Sequence, residues 1–202
     1  MTDANIPQAL ERKAADVDRR SVRVFRKLAY NNALANHRLL RACTALKPGE
    51  FEAPRTGFFP SIKETLNHII TVDWFYVDGM EGGTLGYQAF EIEEPFDDIA
   101  SLSAAQAAVD LRLTALCEAL SPEGLVSTVR LHRGDRIQEE RMDDVLAHLF
   151  QHQTHHRGQV HAMLSGTGVA PPQLDEFIVA DDARFRGKEV AELGWSEEML
   201  AR

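Results

Sequence analysis

Five of the eight histidines in this 202-residue chain fall within sixteen consecutive residues, Leu146 to His161: His148, His152, His155, His156 and His161. A solvated helix face is built from Lys and Glu, and a core from Leu and Val. Imidazoles at this density suit a divalent metal ion. Spacing selects among them. At about 100° per residue, His152 and His156 point within roughly 40° of each other. Val145, Leu149, Val160 and Met163 share their sector, so the pair lies in the apolar stripe and faces inward. His148 and His155 lie on the flank of that stripe, and His161 points to the opposite side. Side chains one turn apart stack on one face, which lets His152 and His156 grip a single ion. The pairs His148/His152 and His152/His155 are weaker competitors for the same role.

A third imidazole comes from upstream. The run from Ile62 to Met80 is apolar around most of its circumference, which predicts a central, buried helix. His68 and Asp73 are its polar interruptions. A lone buried His is commonly a core residue with its hydrogen bonds satisfied. Beside an inward pair elsewhere, a ligand role for His68 stands on an equal footing. Three neutral nitrogens suit Zn²⁺, and also Ni²⁺, Fe²⁺ or Mn²⁺. Three protein ligands leave the open position that separates a catalytic metal from a structural one.

Two chemistries fit such a position. The metal can lower the pKa of a thiol and hold the thiolate for attack on an electrophile. It can instead activate water for hydrolysis. Hydrolysis calls for a general base, and the stretch has no Glu beside its histidines, unlike the HExxH pattern. That absence tilts the reading toward thiol transfer. His155 or His148 as a proton shuttle keeps hydrolysis open. A non-catalytic scaffold or stress-response sensor, its metal shell closed, is the alternative of a different class.

Helices must position these groups. A first helix is predicted from about Ser21 to the Lys47-Pro48-Gly49 stop, with Phe25, Leu28, Asn32, Ala35, Leu39, Ala42 and Leu46 forming its seam. Asn32 is polar within that seam, and a hydrogen bond to a neighbouring helix is its simplest role. Ser61 to Glu64 is a capping box that opens the second helix. Glu81 to Ala100 reads as a long loop, of the kind that rims a pocket. Ser101 or Ser103 is the expected cap of the third helix, with Gln106 completing a box. Strand-type residues flank Arg133-Gly134-Asp135, which predicts a β-hairpin turning there. The fourth helix runs from about Asp143 to Ser165. The expectation is an all-α protein: an antiparallel four-helix bundle over residues 19–170, with a short hairpin before the last long helix. A flexible arm precedes it over 1–18. An extension over 171–202 packs on the bundle or on a dimer partner.

Composition narrows the function classes. The formal net charge of −9 disfavours a nucleic-acid partner, since no basic patch is present to displace phosphate counterions. No apolar run approaches a membrane span, and none near the N-terminus is read as a signal peptide. Cys43 and Cys117, the two cysteines, form no framework or CxxC site and read as small core residues. A cytoplasmic setting and a small-molecule substrate are the expectations.

Leu66-Asn67-His68, Asp73-Trp74 and the run His152 to Gln159, with Tyr30-Asn31 and Ala35-Asn36, resemble the DinB-like family over about residues 20–175. The resemblance implies a four-helix bundle, often a homodimer, with a three-histidine metal site whose ligands fall on His68, His152 and His156. It further implies thiol-dependent transferase or isomerase activity with a low-molecular-weight thiol such as mycothiol, bacillithiol or glutathione, or else metal-dependent hydrolysis.

Overall fold

The structure, a computed structural model, describes residues 5–202, with their side chains from Arg20 onward. It is helix-rich, with one small antiparallel hairpin. Four long helices dominate: α1 (Asn5–Cys43), α2 (Ile62–Met80), α3 (Ile99–Ala119) and, after the short α4 (Pro122–Leu125) and the hairpin, α5 (Met142–Leu164). Helix α1 packs on α3 and α5, and α2 packs on the same two. Each long helix therefore has two long neighbours around a common core.

Helix α1 begins well before the expected Ser21. The arm expected over 1–18 is helical from Asn5 onward, while residues 1–4 lie outside the described residues. Ala, Glu, Arg and Lys in this segment are good helix formers, although they draw no apolar stripe. Helix α2 starts where the capping box places it, with Ser61 Oγ accepting from the Glu64 N–H at 3.0 Å. Helix α3 corrects the sequence reading. Its cap is Asp98, whose side chain accepts from Ala100 and Ser101 N–H. Gln106 does not belong to a cap at all; it is buried in the core. A carboxylate at the N-cap does the same work as a serine, and the upstream Asp moves the helix start by one turn.

The hairpin pairs β1 (Thr128–Arg133) with β2 (Arg136–Arg141), and Arg133 faces Arg136. Gly134 and Asp135 form the two-residue turn, with Gly134 at φ +70°, where a glycine carries no Cβ penalty. Thus Arg-Gly-Asp is a turn. The hairpin sits on α2, where a Cβ at Gly79 would come within 2.5 Å of Leu131 Cδ2.

The core is stratified. One apolar cluster holds Ile70, Phe75, Leu113, Leu146 and Leu149. Another holds Leu39, Ile62, Leu66, Leu102, Val160 and Leu164. Along each helix the buried polar residues fall near the junction of the two: Asn32 and Asn36 on α1, Asp73 on α2, Gln106 and Asp110 on α3, Gln153 and Arg157 on α5. The extension carries α6 (Ala183–Glu192) and α7 (Glu197–Ala201). Its Ile178, Val190 and Leu200 cluster with Tyr30 of α1, and Trp195 meets the Tyr30 ring edge-on at 4.9 Å.

Candidate metal centre

Three imidazoles from two helices meet at one point. His68 comes from α2, His152 and His156 from α5. Their ring centroids are 5.0 Å apart for His68/His152, 4.6 Å for His68/His156 and 4.4 Å for His152/His156. One ligand atom from each lies within 4.8 Å of the other two, so the cluster could hold one metal ion. The i,i+4 spacing on α5 stacks two rings on one face, and the close packing of α2 on α5 brings in the third.

Hydrogen bonding indicates where the lone pairs point. Gln159 Oε1 lies 2.8 Å from His156 Nδ1. An amide oxygen only accepts, so Nδ1 carries the proton and Nε2 keeps a free lone pair. The other end of Gln159 reaches His155 Nε2 at 3.1 Å. His68 Nε2 and His152 Nε2 face each other at 3.0 Å. His152 Nδ1 is buried with no hydrogen-bond partner among the described residues. Burial, with nearby imidazoles adding to it, pushes His68 down to about 4 and His152 down to about 3; burial also lowers His156. All three are therefore neutral at pH 7. Three crowded, neutral imidazoles that converge on one point fit a borderline cation.

The surroundings close one side and open another. The Phe59 ring lies 4.4 Å from His68 and 5.6 Å from His156. Its loop is fastened by Arg55 N–H donating to Pro60 O at 2.6 Å. At Gly57 a Cβ would come within 2.7 Å of Met163 Cε and 2.9 Å of Phe59 O, so the loop lies flush on α5. Beside His68 a cleft of about 250 Å³ is lined by Phe59, Glu64, Thr71, Phe90, Glu93 and Glu94. Its far wall is the long loop after α2. Asn67, fully buried on α2, pins that loop twice: its Nδ2 donates to Phe96 O, and its Oδ1 accepts from Phe96 N–H, both at 2.9 Å.

The remaining histidines stand apart. His148 is exposed, its ring 6.3 Å from His152 and 5.1 Å from Tyr76. His155 is exposed, 4.9 Å from His156. Neither lines the cleft beside His68. His161 turns away and meets Pro172 O at 3.1 Å. Cys43 and Cys117 are buried, and burial pushes both thiols up to about 12. They are core residues, not nucleophiles.

Sequence reasoning missed Gln159 as a partner of His156, Phe59 as a cover and the cleft carboxylates. Gln159 was detectable, three residues from His156 on one helical face. Phe59, Glu93 and Glu94 sit on loops that the helical wheel does not reach.

A second polar group lies deeper. Asp110 accepts from Asn36 Nδ2 at 2.9 and 3.0 Å, from Asn32 Nδ2 at 3.3 Å and from Gln106 at 3.2 Å. Asp73 accepts from Gln106 at 2.7 Å and from Gln153 at 2.6 Å. Arg157 donates to Asn32 Oδ1 and, at 3.1 Å, to Asn36 Oδ1. The seam residue Asn32 thus does bond to neighbouring helices. Burial, with the Asp110 charge adding to it, pushes Asp73 up to about 7; burial pushes Asp110 up to about 6. Burial lowers Arg157 to about 10, against the pull of both carboxylates.

The sequence model of the DinB family matches residues 20–189, which extends past residue 175 into α6. No curated protein matches the chain. Among solved structures it is similar to the crystal structure of a DinB-like protein, YjoA, from Bacillus subtilis. The two share 14% identity over 72% of this chain and 95% of that one, with a TM-score of 0.55. At that identity the likeness is one of fold.

Proposed function

The chain belongs to the DinB family, and from that premise we propose that it is a metal-dependent enzyme acting on a small molecule. The helix packing suits the antiparallel four-helix bundle of that family. His68, His152 and His156 hold one divalent ion, zinc or nickel first, iron or manganese next. One observation carries the reading: among the described residues three neutral imidazoles form the donor set, and a cleft adjoins one of them, His68. A closed, purely structural shell uses four protein ligands, so a scaffold role is the weaker alternative.

When bound, the metal supplies Lewis acidity that lowers the pKa of a water or thiol at its open position. The chain's own residues do the rest. Gln159 fixes the His156 tautomer. Phe59 keeps water from one side of the trio. Glu64 stands one helical turn before His68 on α2, lines the same cleft and is held by the Ser61 hydroxyl at 3.0 Å. It is placed to take a proton.

That carboxylate alters the order of the two chemistries. In the chain no Glu neighbours the five clustered histidines, which favours thiol transfer. In space Glu64, Glu93 and Glu94 share a cleft with His68, so hydrolysis is the reading this geometry supports best. Thiol transfer remains the second, supported by three uncharged donors that leave the ion's full charge available to a thiolate. A cytoplasmic homodimer without nucleic-acid or membrane partners completes the proposal. Among the described residues no helix is long and apolar enough to cross a membrane.

The test uses metal-loaded protein against ester and amide panels, and against an electrophile with added thiols. Hydrolysis that drops about 100-fold or more in Glu64→Gln and vanishes in His152→Ala supports the first reading. Turnover that requires a thiol and survives Glu64→Gln selects the second. No turnover with any of the four metals defeats the enzyme reading.

A further inference from the structure

The composition of the cleft wall restricts what can enter. Three of its residues are carboxylates, and none is Lys or Arg. Glu94 is offset by Lys63 at 3.1 Å, a lysine that also reaches Asp97 at 2.8 Å. Glu64 takes only the Ser61 hydroxyl and its own helix's bonds. Glu93 is exposed and makes no hydrogen bond or ion pair among the described residues. Two carboxylates thus stand without a countercharge beside the rings of Phe59 and Phe90. Aromatic rings interleaved with carboxylates form the environment in which organic ammonium groups are recognised. An anionic ligand would meet uncompensated like charge at Glu64 and Glu93, with Glu94 offset by Lys63 and only Thr71 and His68 as neutral polar walls.

We propose that the cleft beside His68 selects a small ligand that carries an ammonium group on an apolar body, and that it discriminates against carboxylate-bearing ligands of the same shape. The inference deepens the proposed function, and it rests on that reading for calling the ligand a substrate. Its volume of about 250 Å³ lies below the ~300–1,000 Å³ of drug-sized sites, so the body is of the size of one ring or a short chain. Glu93 is the selecting residue, because its carboxylate is free to reach the ligand. The anion that a divalent ion calls for is the nucleophile, so the substrate needs none. Anionic thiols would be disfavoured on the same ground.

The test is a matched set of benzylamine, benzyl alcohol and benzoate, with dissociation constants from ligand-detected NMR on the full chain, metal-stripped and then zinc-loaded. A carboxylate a few ångströms from a ligand cation near a protein surface is worth about tenfold in affinity. Benzylamine is expected to bind about tenfold tighter than benzyl alcohol in the stripped protein, with benzoate weakest. Glu93→Gln, at an exposed position, should remove most of the amine's advantage and leave the alcohol unchanged. Benzoate binding as tightly as benzylamine, no binding by any of the three, or a Glu93→Gln variant that shifts all three alike would overturn the inference. Zinc binding is scored separately by calorimetry. Zinc without charge selectivity removes the inference and leaves the metal reading. Selectivity without zinc leaves a cation-selecting cleft and removes the metal reading.

Discussion

The Asp73–Asp110–Arg157 group and the His68–His152–His156 group occupy the same level of the core and share α2 and α5, yet they satisfy their polar atoms in opposite ways. In the first, each carboxylate accepts two or more hydrogen bonds, and the guanidinium donates to two Asn side chains. Four helices are tied together, although Gln153 Oε1 is left buried without a partner among the described residues. In the second, three neutral rings crowd together, two nitrogens face each other at 3.0 Å, and a buried ring nitrogen has no partner. A buried network that pairs its charges specifies structure; neutral ring nitrogens that converge without a charge partner suit a metal ion. Burial, polarity and a single orphaned atom do not separate the two, since each group has all three. What separates them is that the first pairs carboxylates with donors and a guanidinium, whereas the second gathers three neutral ring nitrogens at one point.

The sharpest way to break this contrast is to remove one member from each group. Arg157→Leu leaves two buried carboxylates without a countercharge and two Asn oxygens without a donor. It should cost about 3–5 kcal/mol, read by urea unfolding. His152→Ala removes a half-buried ring whose one hydrogen-bond contact is to His68 at 3.0 Å, and it should change metal-free stability by less than about 1 kcal/mol. Equal losses in the two variants would dissolve the distinction.

A smaller effect is expected at Gln159, which holds a ligand without being one. Gln159→Leu frees the His156 ring and should weaken metal binding by about 10- to 100-fold, with unfolding in the absence of metal little changed. An unchanged affinity would show that packing alone orients His156.

The two groups should also respond to pH with opposite sign. The histidines have folded values below their ordinary 6.5, so their contribution to stability is present above pH 6.5 and is lost as pH falls toward about 4 for His68 and about 3 for His152. The carboxyls have folded values above the ordinary 3.8, so theirs is present below pH 3.8 and is lost as pH rises through about 6 for Asp110 and about 7 for Asp73. Between pH 6.5 and 8 the metal-free protein should lose stability, and Asp73→Asn should flatten that fall. Between pH 6.5 and 5 the two groups oppose each other, and His152→Gln should shift the balance toward a gain in stability on acidification relative to the unsubstituted chain. Urea midpoints across this range decide both.

Much of the histidine group could be read from the chain because it depends on local periodicity. His152 and His156 sit at helical spacing within an apolar stripe, and His68 interrupts an apolar helix; no tertiary information is needed to turn them inward. The carboxylate network was harder to read. Asn32 stood out because it broke a seam, but Asp110 lies one residue after Val109 of the α3 stripe, and Gln106 passed for a cap. Their partners on other helices come from α1 and α2, and no single periodicity records that. The cleft was the least legible part, since Phe59, Glu93 and Glu94 reach it on loops whose path is set by Asn67, Arg55 and Gly57. The same limit misplaced the start of α1, where helix propensity without an apolar stripe gave no wheel to read.

The most direct test of the three-histidine centre is calorimetric titration of the metal-stripped full chain with Zn²⁺, repeated for His68→Ala, His152→Ala, His156→Ala and the flanking pair His148→Ala and His155→Ala. The account predicts one ion per chain, binding lost in each of the first three variants and kept in the last two, with all five folded. Zinc binding that survives His68→Ala, or that is lost on removing His148 or His155, would contradict it.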